Sequence, residues 1–280
     1  MVATSAAFVR PLGTMVAYGF DRGSVLSDLD IADRLGAGVL EILPDWRAYP
    51  DPLQMKAIAT DRGFAIHSAH GCWGGQSIRA QRVDLGATNP ETWTASLDDL
   101  RRCLDWLRAA GGKCLIVHPG GLSDTRESAA RRESLRLGLE GLADHIGGSG
   151  LVACVENMPP GVNPGSETTA IAALVAEIGR PEIALALDTG HANLVDSAEK
   201  ETLAAGFLLA TTHVHDNDGR ADSHHPPGLG TVDWAAWAAA LNAIGYRGPI
   251  MLECIRELRK HPEAIDPPFL AQLDMLRAGG

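Results

Sequence analysis

The chain has 280 residues, 45% of them hydrophobic and 21% charged, and carries a formal net charge of −11. That apolar share excludes a disordered chain, and no apolar run reaches the length needed to span a membrane. The acidic balance argues against a nucleic-acid partner, whose phosphates need clustered Lys and Arg.

Taken in order, short apolar runs alternate with longer amphipathic segments. The opening segment, MVATSAAFVRPLG, has no basic start followed by an apolar core, so no secretory signal is expected. Strands are predicted over 13–19, 38–43, 64–69, 113–118, 151–156, 183–188, 210–215 and 249–254. Their near-continuous apolarity suits a parallel sheet covered by helices. In the helix expected over 91–111, Trp93, Leu97, Leu100, Leu104 and Leu107 recur at three- and four-residue steps, and Gly111 ends it. The next helical pattern, 123–148, starts on a cap at Ser123 or Asp124 and stops at Gly147-Gly148. Two more follow at 233–248 and 266–280; the longest irregular stretch is roughly 70–90. Eight such alternations at this length predict a single-domain (β/α)8 TIM barrel over residues 1–280. The five cysteines, Cys72, Cys103, Cys114, Cys154 and Cys254, show no C-x-x-C pairing, so free thiols and a cytoplasmic location are expected.

In such a barrel the reactive groups gather where the strands end. The predicted strands run into His70, His118, Glu156-Asn157, Asp188-Thr-Gly-His191, His213-Val-His215-Asp216-Asn217 and Glu253. Of ten histidines, only His145 and His261 fall away from these ends and the loops after them. A single histidine there is more often a hydrogen-bonded rim residue than a ligand. Carboxylates closing three apolar strands would converge, however, and would repel or take up protons unless a cation neutralised them. A divalent metal on Glu156, Asp188, His213 and Glu253 resolves that conflict. Mixed nitrogen and oxygen ligation suits Mn²⁺, Zn²⁺, Co²⁺ or Fe²⁺, and Mg²⁺ less well. His215 shares the strand parity of His213 and is its rival for the ligand role. Asp216 and Asn217 are expected to brace the turn.

H-P-G at His118, E-N at Glu156, D-T-G-H from Asp188, H-x-x-D-N from His213, D-x-H at Asp222 and His224, P-P-G-x-G and the strand-ending Glu253 occur in that order. Together they resemble the xylose-isomerase-like TIM barrels, which include sugar and sugar-phosphate isomerases and epimerases, inosose dehydratases and endonuclease IV-type AP endonucleases. The resemblance implies a divalent-metal-dependent sugar or sugar phosphate isomerase or epimerase. Glu156 and Glu253 become the acid/base pair, passing a proton through a metal-stabilised enediolate. His191, Arg220, Asn157 and Trp73 become candidate substrate contacts, with His191 or Arg220 steadying the oxyanion. The endonuclease IV pattern adds candidate ligands for further zinc ions: His70 and His118 for one, His191, Asp222 and His224 for another.

The departures bear on that second branch. ENMPPG follows strand 5 where the nuclease carries a different run, and basic residues at the rim are the scattered Arg47, Arg79, Arg82 and Arg220. The leading expectation is therefore an epimerase or isomerase of a small sugar. The alternatives are a multinuclear zinc phosphodiesterase acting on abasic DNA, a keto-sugar or inosose dehydratase, and a metal-loaded binding protein without turnover. Glu156 and Glu253 together speak against the last. A homo-oligomer is compatible with all of them.

Overall fold

The structure is a computed structural model and describes residues 8–20, 25–74, 80–124 and 128–279; Arg79 lies outside them. Eight parallel strands form one sheet: β1 (Leu12–Tyr18), β2 (Val39–Pro44), β3 (Ala65–His70), β4 (Cys114–Val117), β5 (Val152–Glu156), β6 (Ile183–Asp188), β7 (Leu209–His213) and β8 (Ile250–Leu252). They pair in the order β7-β6-β5-β4-β3-β2-β1-β8. A parallel bridge between Val214 and Leu252 joins the two ends. There Val214 N–H donates to Met251 O at 2.8 Å and Glu253 N–H to Val214 O at 3.0 Å. Among the described residues this bridge brings the two edge strands together and completes a (β/α)8 barrel. Because all strands run parallel, all eight C-terminal ends open at one mouth.

The helices cover the barrel as their periodicity requires. The helix Pro90–Ala110 is capped by Asn89, whose side chain accepts from Thr92 N–H, and ends at Gly111 with φ 84°. A left-handed residue there is cheap only for glycine. Its Leu97, Leu100, Leu104 and Leu107 are buried against the sheet, each worth roughly 1.5–3 kcal/mol when fully buried. Trp93 is only partly buried, and its indole N–H donates to Ser134 O at 2.9 Å. The expected helix 123–148 is shorter, Ser128–Ile146; residues 125–127 lie outside the described set, and Ser123 and Asp124 precede them as loop. No helix among the described residues is long and apolar enough to cross a membrane.

Two predicted ends shift in ways that matter for the site. β7 stops at His213 and β8 at Leu252, so His215 and Glu253 stand just beyond the ladder. His67 corrects a sequence expectation: it lies near the start of β3 and lines a cavity of about 420 Å³ with Cys114, Val152 and Ile183, residues of the strands' N-terminal ends. It is at the opposite mouth from the other strand-end histidines.

Candidate functional site

Glu156, Asp188 and His213 are the last residues of β5, β6 and β7, and Glu253 follows β8. One ligand atom from each of the four lies within 4.8 Å of the others. Glu156, Asp188 and His213 are buried, and Glu253 keeps 13% of its side chain exposed. His213 Nδ1 sits 2.9 Å from Glu156 Oε1 and 2.8 Å from Glu253 Oε2. One ring nitrogen cannot give a proton to both.

The group can hold a cation, and a cation would relieve the repulsion among its carboxylates. Two carboxylates about 4–5 Å apart repel by about 3–4 kcal/mol even at an effective dielectric of about 20. Three of them approach the net stability of a whole domain, about 5–15 kcal/mol. Within the chain itself, neighbouring imidazoles offset part of that repulsion. Burial pushes the Glu156 carboxyl up, but His213 and His118 outweigh it and hold it well below the ordinary range. Burial likewise pushes His213 down, while Glu253, Glu41 and Glu156 raise it well above 6.5. Glu156 Oε2 and Glu253 Oε2 are nevertheless buried without a well-aligned hydrogen bond. Orphaned carboxylate oxygens around an imidazole nitrogen fit a divalent metal with mixed ligation.

The remaining candidates form two satellites. His70 and His118 flank Glu156 on one side, and His118 Nε2 approaches Glu156 Oε2 at 3.2 Å. Trp73 covers this pair, edge-on to His70 at 4.6 Å and stacked on His118 at 5.7 Å. On the other side Asp188, His191 and His215 group together, all buried. His215 Nε2 is 3.0 Å from Asp188 Oδ2, its ring stacks on His224 at 4.0 Å, and its Nδ1 has no partner. Asp222 lies between His191 Nε2 at 3.4 Å and His224 Nε2 at 3.2 Å. The structure thus brings His213 into the four-residue group and His215 into its neighbour. Gly190 makes this possible: a Cβ there would lie 1.9 Å from His215 Cε1.

Local hydrogen bonds explain the placement. Asp188 caps the helix Thr189–Val195, accepting from His191 N–H, which fixes His191 beside it. The side-chain amide of Asn157 is committed to Asp188, donating to its carbonyl at 3.0 Å and accepting from its N–H at 2.7 Å. Asp216 is buried and accepts from the backbone N–H groups of Asn217, Gly228 and Val232 and from the Trp234 indole. It ties both ends of the loop that carries Arg220, Asp222 and His224, in agreement with the bracing role expected for it. Asn217 donates to Gly190 O at 2.8 Å. His224 has φ 51°, a left-handed backbone unusual outside glycine, and its Nδ1 meets Glu253 O at 3.0 Å.

Above the cluster opens a cleft of about 1400 Å³. Trp73, His191 and Arg220 line it, joined by Phe20, Met158 and Arg256, which the sequence did not single out. Arg47 also reaches it and is doubly bonded to Asp45. The most consequential residue missed is Glu41. It lies mid-strand in β2, is fully buried, and contacts His213 Nε2 at 2.8 Å. Its signal was present: a lone carboxylate inside the apolar run GVLEIL.

Residues 29–278 match the model of the xylose isomerase-like TIM barrel family. The L-ribulose 3-epimerase of Methylomonas sp. is 31% identical over 252 residues, covering 84% of this chain and 78% of that protein. A crystal structure of a D-allulose 3-epimerase from Methylomonas sp., in complex with D-allulose, superposes with a TM-score of 0.67 at 26% identity, over 89% of this chain and 86% of that one. A D-tagatose 3-epimerase-like protein superposes with a TM-score of 0.76 at 18% identity, over 93% and 97%, and speaks for the fold alone.

Proposed function

The chain belongs to the xylose isomerase-like TIM barrel family as an enzyme of the isomerase and epimerase type, and we propose that it is a divalent-metal-dependent ketose 3-epimerase. The observation that carries this reading is the convergence of Glu156, Asp188, His213 and Glu253 within one ligand sphere at the catalytic mouth. These four residues would hold the metal. When bound, it supplies Lewis acidity toward the ketose carbonyl and the adjacent hydroxyl.

The chain's own groups do the rest. Glu156 and Glu253 project from β5 and from the end of β8 on separate walls of the mouth. One takes the proton from the carbon next to the carbonyl, and the other returns a proton to the opposite face. The configuration at that carbon inverts. The edge of the His191 ring that carries Nε2, shared with Asp222, and Arg220 line the cleft and would meet substrate hydroxyls, and Trp73 offers an apolar wall against a sugar face. Asn157 acts from behind by holding Asp188 in place.

The test is a solvent-deuterium exchange screen over L-ribulose, D-allulose, D-fructose and D-tagatose, with metal-stripped protein reloaded with Mn²⁺, Co²⁺, Zn²⁺ or Fe²⁺. Exchange at the carbon next to the carbonyl, restored by metal, supports the reading; no exchange with any pair refutes it. A second reading has one specific observation in its favour, the two satellite groups His70–His118–Glu156 and Asp188–His191–His215. More than one tightly held zinc per chain together with cleavage of abasic DNA would favour it.

A further inference from the structure

We propose that Glu41 is the positioning carboxylate of the metal centre: it holds the Nε2 proton of His213 and so turns the Nδ1 lone pair toward Glu156, Asp188 and Glu253. The inference rests on the metal reading given above. Glu41 stands in the middle of β2, where its Cα partners in the ladder are Met15 and Ser68. Its side chain reaches across the barrel interior to a histidine 172 positions away. Both side chains are 0% exposed.

The geometry assigns each oxygen a task. Glu41 Oε1 accepts from His213 Nε2 at 2.8 Å, and Oε2 accepts from Ser68 Oγ at 2.6 Å. The Ser68 bond fixes the carboxylate, and the carboxylate in turn fixes the ring. A neutral imidazole has one N–H and one lone pair, and the hydrogen bond at one nitrogen decides which tautomer forms. With Nε2 committed to Glu41, Nδ1 is the basic nitrogen, and it is the one that lies 2.9 Å from Glu156 and 2.8 Å from Glu253. A carboxylate behind a ligating histidine fixes its orientation and raises its basicity. A carboxylate buried only to fill the barrel would have no reason to address the nitrogen opposite the cluster.

Removing such a support typically weakens metal binding by about 10–100-fold. The experiment uses full-length, metal-stripped protein labelled with ¹⁵N-histidine and titrated with Zn²⁺, following the His213 ring resonances. In the native sequence, Zn²⁺ should shift the His213 Nδ1 signal while the proton stays on Nε2. Glu41→Met should require a Zn²⁺ concentration about ten- to a hundredfold higher for the same shift. Glu41→Gln keeps an acceptor oxygen of the same reach and should show a smaller loss; it also serves if Glu41→Met does not fold. The inference is overturned if either folded variant loads at the native concentration, or if the zinc-loaded native protein carries its His213 proton on Nδ1. No response of native His213 to Zn²⁺ would overturn the metal reading itself, and the inference with it.

Discussion

Gly190→Ala puts two physical rules against each other. Gly190 lies in the helix Thr189–Val195, where alanine would ordinarily gain about 1 kcal/mol in helix propensity. The added Cβ, however, would stand 1.9 Å from His215 Cε1 and 2.5 Å from its Nδ1. The ring must move by well over an ångström, yet it is fully buried and stacked on His224 at 4.0 Å. Overpacking of this kind costs about 1–3 kcal/mol. Losing the contact of His215 Nε2 with Asp188, 3.0 Å in the structure, adds about 1.5–3 kcal/mol, the worth of a hydrogen bond to a charged group. Set against the propensity gain, the net expectation is a loss of about 1.5–5 kcal/mol. Urea unfolding of metal-stripped protein measures it. The same substitution in a His215→Ala background should cost far less, because the clash has gone; the difference is the coupling between the two sites. Gly190→Ala as stable as the native chain, or equally costly in both backgrounds, would refute the reasoning.

Glu253→Gln removes one partner of the proposed proton-transfer pair and should cut exchange at the carbon next to the carbonyl by about 10²–10⁴-fold, with an unchanged circular dichroism spectrum; retained exchange would count against the mechanism. Asp216→Ala leaves the buried N–H groups of Asn217, Val232 and Trp234, and the part-buried one of Gly228, without their acceptor. At about 1–3 kcal/mol for an unsatisfied group, a loss near 3 kcal/mol is expected in urea unfolding, and a change within about 0.5 kcal/mol would contradict it. In metal-stripped protein, burial lowers the His224 pKa, but the hydrogen bond to Asp222 and the charges of Glu253, Asp222 and Asp188 win and raise it from 6.5 to about 10. A raised histidine stabilises the fold fully below its unfolded value and stops doing so as pH climbs through the folded one. The stability gap between the native chain and His224→Gln should therefore be largest below pH 6.5 and close by about pH 10; a gap that widens with pH would reverse the sign.

The fold was legible because eight apolar runs alternate with amphipathic segments, and a parallel sheet buried on both faces needs that pattern. Glu156, Asp188 and Glu253 were legible for a related reason. A carboxylate that closes an apolar strand cannot sit in the core, so it must reach the mouth. His213 and His215 were not separable in this way, since strand parity points both inward. What separates them is that β7 ends at His213, together with the space beside Gly190 that receives the second ring. His67 was misplaced because a histidine near a strand's start reads like one at its end when strand bounds are uncertain by a few residues. That Ser123 and Asp124 are loop rather than the start of the next helix follows from the same uncertainty.

Glu41 was hidden by a stricter limit. Charges at strand ends converge on the mouth, whereas Glu41 falls in the middle of a strand. A charge there is tolerable only with a buried partner, and its partner lies 172 positions away across the barrel. Such a pairing has no local periodicity to announce it. The four candidate ligands and Glu41 nevertheless obey one rule at two depths. A carboxylate at the strand end faces the mouth, and the carboxylate within the strand faces His213 of that cluster. Glu41 and Ser68 extend the site one layer down into the barrel, from the cluster at the mouth to the strands that hold its histidine in register.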